Sequence, residues 1–193
     1  DSAIYDLGLA MGPFAMGDLA GLDIGWRIRQ ERGVPGNLPE GARYTAIADR
    51  ICEMGRFGQK TGAGYYRYEA GERTPIRDAA IEQLIEDYSQ EKGLNRRKIE
   101  AEEIVERLIY ALVNEGAKIL EEGVAQRASD IDVIYVNGYG FPASLGGPMR
   151  YADSVGLDKV YRRVCEFAEQ DSYTWQPAKL LGELANKGKL FSG

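Results

Sequence analysis

The stretch GPFAMGDLAGLD at residues 12–23 recurs as GPMRYADSVGLD at residues 147–158. The two stretches share Gly, Pro, Asp, Gly, Leu and Asp at the same spacing, at an offset of 135 residues. Upstream, residues 1–8 resemble residues 132–140 with one residue of slack. Six matches within twelve positions are hard to explain as a chance similarity of turns, so the sequence predicts two copies of one structural unit.

Each copy predicts two helices joined by a tight turn. Proline directly after glycine suits the first helical position, where its missing N–H removes no hydrogen bond. Gly21 and Gly156 then end a short helix, because glycine can turn the chain through left-handed geometry. Asp23 and Asp158 follow at positions from which a carboxylate is expected to cap a second helix.

Helical periodicity dominates the remaining sequence. Apolar residues recur three and four positions apart, as on one face of a helix. The stretches predicted to be helical are residues 44–54, 81–88, 104–120, 160–168 and 177–184. A loop is expected at residues 33–41, which contain two prolines, and only Tyr65, Tyr66 and Tyr68 indicate extended chain. The expected fold class is therefore all-α.

The two copies also suggest how the chain is divided. Residues 1–95 are expected to form a first helical repeat, truncated at its start, plus a connecting segment, and residues 96–193 a second repeat. The first residues include no initiating methionine and no basic stretch followed by an apolar one. A fragment or processed chain without a secretion signal is therefore expected.

Composition excludes several classes of function. The net charge of -6 and the absence of a Lys/Arg cluster argue against a nucleic-acid partner. The longest uncharged stretch, residues 133–149, is broken by glycine and proline, so no membrane span is expected. There is no histidine, which excludes a Ser-His-Asp triad, a Cys-His pair and a zinc site that contains histidine. Cys52 and Cys165 are far apart, which favours a reducing, intracellular compartment without disulfides or a metal cluster.

Three groups of residues invite a chemical role but favour a structural one. The loop GRFGQKTGAG at residues 55–64 lacks the adjacent Gly-Lys-Thr and the preceding strand of a phosphate loop, so a turn in which Lys60 reaches a carboxylate or carbonyl is favoured. Paired glutamates at 102–103 and 121–122 fit solvated helix faces. Aromatic residues could line an acyl pocket, but packing in the core or between the two copies is favoured for them; these are Tyr135, Tyr139, Phe141 and Tyr151.

The ordered motifs resemble one enzyme family. Residues 1–14 with 18–23 resemble the signature that opens the helical domain of 3-hydroxyacyl-CoA dehydrogenases. The stretch GQKTGAGYY at residues 58–66 is similar to the family's next motif, Gly-Lys-Thr-Gly-x-Gly-aromatic. A second copy of the pattern is carried by residues 114–117, 121–125, 130–132, 138–142 and 147–149. The resemblance covers nearly the whole chain, and two tandem copies are typical of multifunctional β-oxidation enzymes, in which an enoyl-CoA hydratase part usually comes first.

The resemblance implies a fold of the 6-phosphogluconate-dehydrogenase C-terminal-like type, with two tandem helical repeats. In the shorter dimeric enzymes of the family, a partner subunit's helical domain occupies the place that the second copy takes here. The two repeats are therefore expected to pack as a pseudo-dimer about a pseudo-twofold axis.

The resemblance also implies a reaction, the oxidation of an L-3-hydroxyacyl-CoA to the 3-oxoacyl-CoA with transfer of hydride to NAD. The family's base is a histidine oriented by a glutamate, both in a Rossmann domain, and its assisting asparagine lies upstream of the position that matches Asp1. This sequence has no histidine and no Gly-x-Gly-x-x-Gly fingerprint. We therefore expect no catalytic residue, no metal ligand and no bound NAD in this chain, which alone should be inactive. The second copy retains the helix that carries this asparagine in the family, but Glu106-Arg107 stands where the first copy would read Asn-Arg, so the second copy is expected to be structural.

The part of the site that carries over is a wall of the acyl pocket, formed by Met11, Gly12, Pro13 and Phe14, which faces the cofactor domain. The implied partners are the acyl-CoA substrate and the Rossmann domain of the parent enzyme. An apolar surface where the first copy's missing helix would lie predicts self-association of the chain. The expected location is cytoplasmic, with the peroxisome as the alternative. A non-catalytic helical interaction or dimerisation module is the alternative function, and an unrelated reductase with a helical dimerisation domain shares the architecture but not these motifs.

Overall fold

The computed structural model describes residues 1–193 and consists of ten α-helices joined by turns and loops. The helices are α1 (Ser2–Leu7), α2 (Pro13–Ala20), α3 (Leu22–Glu31), α4 (Ile47–Glu53), α5 (Ala79–Glu91), α6 (Ala101–Glu121), α7 (Ala128–Gly138), α8 (Pro148–Val155), α9 (Leu157–Gln170) and α10 (Lys179–Asn186). Two short 3₁₀ helices cover Gln59–Thr61 and Ala143–Leu145. There is no sheet, and the extended chain near residues 58–76 makes only isolated bridges. The all-α prediction is confirmed. None of the helices is both long enough and apolar enough to cross a membrane.

The fourth helix begins later than its apolar pattern predicts. It starts at Ile47 instead of Tyr44. The backbone N–H of Ala46 donates to the hydroxyl of Tyr88 at 3.1 Å, and the Tyr44 hydroxyl donates to the carboxylate of Asp49. These side-chain contacts hold residues 44–46 in a non-helical entry to the helix.

The last helix is also shorter at its start. It begins at Lys179, two residues after Pro177, because Asn114 on α6 binds the intervening backbone. The Asn114 side chain donates to the carbonyl of Gln176 at 2.8 Å and accepts from the N–H of Ala178 at 2.8 Å. Both amide atoms of a buried asparagine are thereby satisfied, as burial of polar groups requires.

The turns between α2 and α3 and between α8 and α9 share one geometry. Gly21 and Gly156 both have φ of 98°, with ψ of 113° and 119°, so both turns use the positive φ that glycine tolerates. The prediction that Asp23 and Asp158 cap the second helices is wrong. The glycines themselves are the N-cap residues, and the aspartates lie in the first turn, where a negative charge is favourable to the helix dipole.

The chain folds into two compact units. The first comprises Asp1 and Met11–Lys98, and the second comprises Ser2–Ala10 and Ile99–Gly193. In the first unit, neighbouring helices from α2 to α5 pack in sequence. In the second unit, α6 is central and contacts α1, α7, α8, α9 and α10.

The long apolar stripe of α6 forms the middle of the second unit's core. Ile109, Val113 and Ala117 are almost completely buried, with Val160 and Val164 of α9 packed in the same cluster. Complete burial of a large aliphatic side chain contributes roughly 1.5–3 kcal/mol, which explains why this helix organises the unit. Three of the four aromatic residues predicted to pack belong to this core: Phe141 is buried, and Tyr135 and Tyr151 are partly buried. Core packing is wrong for Tyr139, which is 60% exposed and touches only the ring of Tyr135 among the aromatic residues.

Candidate substrate-facing site

The four residues expected to form an acyl-pocket wall lie together at the start of α2 in the first unit. Gly12 is the N-cap residue, and Pro13 occupies the first turn of the helix. Gly12 is buried and Met11 is partly buried, whereas Pro13 and Phe14 are exposed. The side chain of Phe14 is 44% exposed, so the turn presents an aromatic ring to its surroundings.

The carboxylate of Asp1 fixes this turn. It accepts hydrogen bonds from the backbone N–H groups of Phe14 at 3.0 Å and Ala15 at 2.9 Å, and from the Tyr66 hydroxyl at 3.0 Å. A carboxylate is favoured here because the first N–H groups of a helix have no partner within it. A Cβ atom on Gly12 would lie only 2.4 Å from the Asp1 carboxyl carbon, so a side chain at that position would displace the cap.

The ring of Phe14 stacks on the ring of Tyr65. Their centroids are 4.5 Å apart and the ring planes are inclined by 27°. Burial, and secondarily the negative charge of Asp18, raises the pKa of the Tyr65 hydroxyl. The phenol therefore remains neutral at physiological pH. The pair offers an apolar surface and one neutral hydroxyl, a combination that can bind an apolar substrate group but supplies no base.

Asp18 joins α2 to the extended segment that carries Tyr65. Its carboxylate, which is 1% exposed, accepts from the N–H groups of Tyr65 at 2.9 Å and Tyr66 at 3.0 Å. The hydroxyl of Tyr68 also donates to it at 2.9 Å. Burial, followed by this hydrogen bond, raises the pKa of Tyr68. One buried carboxylate thus sets the position of the ring against which Phe14 stacks.

Gly58 and Gly64 in the glycine-rich loop are required by the close approach of Asp18. Gly58 has φ of 101°, and a Cβ atom there would lie 2.1 Å from the Asp18 carbonyl oxygen. A Cβ atom on Gly64 would lie 2.0 Å from an Asp18 carboxylate oxygen. Gly58 is therefore explained by packing against the main chain of Asp18, and Gly64 by packing against its carboxylate.

Lys60 in the same loop forms an ion pair with Asp23, as expected for a lysine that reaches a nearby carboxylate. The hydrogen bond from Lys60 lowers the pKa of Asp23. The loop's lysine is thus engaged, and Gly64 faces the carboxylate of Asp18, which would repel a phosphate. These residues do not fit the phosphates of a dinucleotide such as NAD.

The two aspartate contacts recur in the second unit. Asp132 accepts from the backbone N–H groups of residues 149 and 150, at 2.8 and 3.1 Å. Asp153 accepts from those of residues 191 and 192, at 2.8 and 3.1 Å. Asp132 and Asp153 thus each bind two consecutive backbone N–H groups, as Asp1 and Asp18 do in the first unit. The sequence alone did not predict these hydrogen bonds. It did match Asp18 with Asp153, because residues 12–23 and 147–158 contain an aspartate at the same position.

The fold and the site together define an all-helical domain whose short helices are held by buried aspartates and glycine-rich turns. Residues 1–68 and 104–192 match the family described as 3-hydroxyacyl-CoA dehydrogenase, C-terminal domain. Because the match covers most of the chain, the chain belongs to this family.

Curated relatives show how much of a longer protein the family match represents. The chain is 44% identical to the peroxisomal bifunctional enzyme of Danio rerio and 40% identical to that of Homo sapiens, over 97% of its own length in each case. It spans 28% of the length of each of these relatives. Among solved structures, the dehydrogenase part of multifunctional enzyme 1 from C. elegans matches 95% of the chain with a TM-score of 0.72 and 28% identity. The chain covers 40% of that structure.

Proposed function

We propose that the chain is the helical domain of a multifunctional β-oxidation enzyme that oxidises L-3-hydroxyacyl-CoA to 3-oxoacyl-CoA with NAD. The family match over residues 1–68 and 104–192 is the observation that carries this proposal. Curated relatives named bifunctional enzymes support the multifunctional parent. The reacting groups and NAD belong to a Rossmann domain of the parent, since the only glycine-rich lysine loop of this chain is closed by Asp18 and Asp23.

In this proposal the domain contributes a wall of the acyl pocket. Met11, Gly12, Pro13 and Phe14 form the turn, and the bonds from Asp1 to the start of α2 hold it in one orientation. The stacked ring of Phe14 supplies apolar contact area for the acyl chain. Binding and orientation of the substrate are the expected contributions, because a well-oriented reactant needs less ordering in the transition state.

The activity of the parent protein tests this proposal. The chain of 193 residues alone is expected to form no NADH from 3-hydroxybutyryl-CoA, because general acid-base assistance alone is worth about 10²–10⁴-fold. In the full-length protein, Phe14→Ala is expected to lower kcat/KM about tenfold for long acyl chains by raising KM, since the ring is half-exposed and only part of its burial is lost.

The matched controls are Phe14→Tyr, which keeps the ring, and Leu94→Ala, an exposed leucine in a connecting segment outside the site. Unchanged kinetics for Phe14→Ala at every acyl-chain length would contradict the proposal that this turn forms a wall of the acyl pocket. A full-length protein without turnover would favour the alternative of a non-catalytic helical module. Turnover by the 193-residue chain itself would contradict the assignment of the chemistry to another domain.

We further propose that residues 1–95 and 96–193 are two repeats that pack as a pseudo-dimer. The matched aspartate bonds and the equal turns at Gly21 and Gly156 support a duplicated unit. In an experimental structure, residues 12–23 are expected to superpose on residues 147–158 after a rotation close to twofold. A relation by translation would contradict the pseudo-dimer.

Self-association of the chain is proposed from an apolar surface on α2 and α3. Its side chains are Met16, Leu19, Ile24 and Ile28, which are 43–55% exposed. At an offset of 135 residues, Ile24 and Ile28 correspond to Lys159 and Arg163, which bind Glu106 of α6 in the second unit. In the second unit, α6 covers these two positions. In the first unit, the same positions are isoleucines that no helix covers. This surface is expected to take up a helix in the parent and a second copy when the chain is alone.

Sedimentation velocity at increasing concentration checks this expectation. We expect a reversible dimer, which the double variant Ile24→Glu/Ile28→Glu shifts towards monomer because two charges would have to be desolvated in the contact. The control variant is Leu94→Glu/Val124→Glu, which places the same charges at exposed positions elsewhere. A monomer at all concentrations, or equal behaviour of both variants, would contradict this surface.

A peroxisomal location is proposed in preference to the cytoplasmic expectation. Curated relatives from several organisms carry peroxisomal names, including a β-oxidation multifunctional protein of Arabidopsis thaliana. A fluorescent fusion of the full-length protein that spreads through the cytoplasm would contradict this location.

A further inference from the structure

The connecting segment between α5 and α6, residues 92–100, is exposed over its whole length. The backbone hydrogen bonds that end α5 stop at Leu94, whose N–H donates to the carbonyl of Ser89 at 2.9 Å. The bonds of α6 begin at Glu100, whose carbonyl accepts from the N–H of Ile104 at 3.2 Å. The chain between these two points therefore joins two helices without belonging to either.

Three consecutive cationic residues lie in this segment. They are Arg96, Arg97 and Lys98, directly before Ile99, where the second unit resumes. The guanidinium of Arg96 forms an ion pair with Glu86 at 3.0 Å, but both side chains are 51% exposed, and such a pair adds little stability. Exposed, irregular chain with polar residues is the preferred place for proteolytic nicking. The segment thus combines access with the residues after which trypsin-like endopeptidases cleave.

Two other exposed cations in irregular chain lie beside backbone hydrogen bonds. Arg73 is in a loop closed by the reciprocal bonds of Arg67 and Ile76, each 2.9 Å long. The N–H of Lys189 donates to the carbonyl of Leu184 at 3.0 Å. Proteolysis of a folded protein follows the population of locally opened chain, and opening at either place would break these bonds. The connecting segment is therefore expected to be cut before them.

The helix α1 lies before this segment in the chain but belongs to the second unit. Ile4 of α1 is 3% exposed, in the core cluster that contains Ile109 and Val113 of α6, and Leu7 packs against the same cluster. A cut in the connecting segment would therefore leave the amino-terminal piece with a part of the second unit's core. Burial of these aliphatic side chains would hold the two pieces together without a covalent bond.

We propose that residues 96–98 are a cleavage site for a trypsin-like serine endopeptidase, and that the cut protein remains one particle held by α1. Cleavage consumes one water molecule and breaks the peptide C–N bond after Arg96, Arg97 or Lys98. The carbonyl carbon gains the hydroxyl of the new carboxylic acid, and the nitrogen gains the proton and leaves as an amine. The proposal depends on the connecting segment and on α1, and it does not rest on the dehydrogenase assignment.

Limited digestion of the 193-residue chain with trypsin tests the site. We expect the first cut to fall after one of residues 96–98, as read from the masses of the two pieces. The triple variant Arg96→Gln/Arg97→Gln/Lys98→Gln is expected to slow the loss of intact chain about tenfold or more, because the remaining cations require local opening first. The control variant, Arg73→Gln, should leave the rate unchanged. A first cut elsewhere, or equal rates for both variants, would overturn the site.

Gel filtration of the cut protein over a dilution series tests the role of α1. We expect the two pieces to elute together, at the position of the uncut chain. Ile4→Ala is expected to weaken their association about 30-fold or more, because it leaves a cavity in the core, and the uncut variant serves to check folding. Tyr5→Ala, at an exposed position of the same helix, should weaken it much less. Separation of the unsubstituted pieces, or equal association of the two variants, would overturn the role of α1.

Discussion

Asp18→Ala is expected to lower the free energy of unfolding of the first unit by about 2–6 kcal/mol, since each of two buried donors left without a partner costs about 1–3 kcal/mol. The two donors are the N–H groups of Tyr65 and Tyr66, and the hydroxyl of Tyr68 loses the same acceptor. Gly58 and Gly64 pack directly on Asp18, so the glycine-rich loop would also lose packing contacts. Asp18→Asn should cost less, because its oxygen can still accept from one of the two N–H groups.

The two tryptophans allow the units to be followed separately. Trp26 lies in the first unit and Trp175 in the second, so urea unfolding of Trp175→Phe protein reports the first unit by Trp26 fluorescence. The matched control is Asp153→Ala, which removes the corresponding anchor of the second unit and is followed by Trp175 fluorescence in Trp26→Phe protein. Its effect should be smaller, because only the amides of residues 191 and 192 depend on it. An Asp18→Ala variant as stable as the parent would show that this cluster does not hold the first unit together.

The helices could be predicted from sequence because their signals are local. The stripe of α6 has an apolar residue at every turn, and both Gly-Pro steps mark helix starts. The late starts of α4 and α10 could not be predicted in this way. They depend on Tyr88 and Asn114, which bind the entering backbone from 42 and 64 residues away.

The aspartates show the same division between local and distant contacts. The repeat revealed Asp18 and Asp23 as matched positions, but position alone suggested a helix cap for Asp23. In the structure Asp23 binds Lys60 instead, at a separation of 37 residues. Asp18 acts on an extended segment nearly 50 residues away. Such partners could not be read from periodicity, because both depend on how the glycine-rich loop folds back.

The placement of α1 was also beyond local reasoning. Ile4 is 3% exposed and packs in the core of the second unit, although the chain returns to the first unit at Met11. No feature of residues 2–10 themselves indicates which unit they join. For the candidate site, the turn from Met11 to Phe14 was predictable from the family motif, whereas the stacking of Phe14 on Tyr65 required the fold.

Phe167→Ala is expected to lower the free energy of unfolding of the second unit by about 3–5 kcal/mol, the usual cost of deleting a buried phenylalanine ring. Phe167 is 1% exposed, and the guanidinium groups of Arg107 and Arg163 lie 4.1 Å and 4.7 Å from the centroid of its ring. The ring of Trp175 is 4.9 Å away. The substitution would thus leave a cavity among α6, α9 and the segment before α10.

Phe167→Leu separates the volume of the ring from its electrostatic contacts. Leucine fills much of the space but has no ring to attract the two guanidinium groups, each such contact being worth about 0.5–1 kcal/mol at partly exposed sites. We therefore expect a loss of about 1–2 kcal/mol, measured by Trp175 fluorescence in Trp26→Phe protein. Tyr173→Ala, an exposed aromatic residue of the same unit, should change stability by less than about 0.5 kcal/mol. Equal losses for Phe167→Leu and Phe167→Ala would show that the cation contacts, and not the filled volume, dominate at this position.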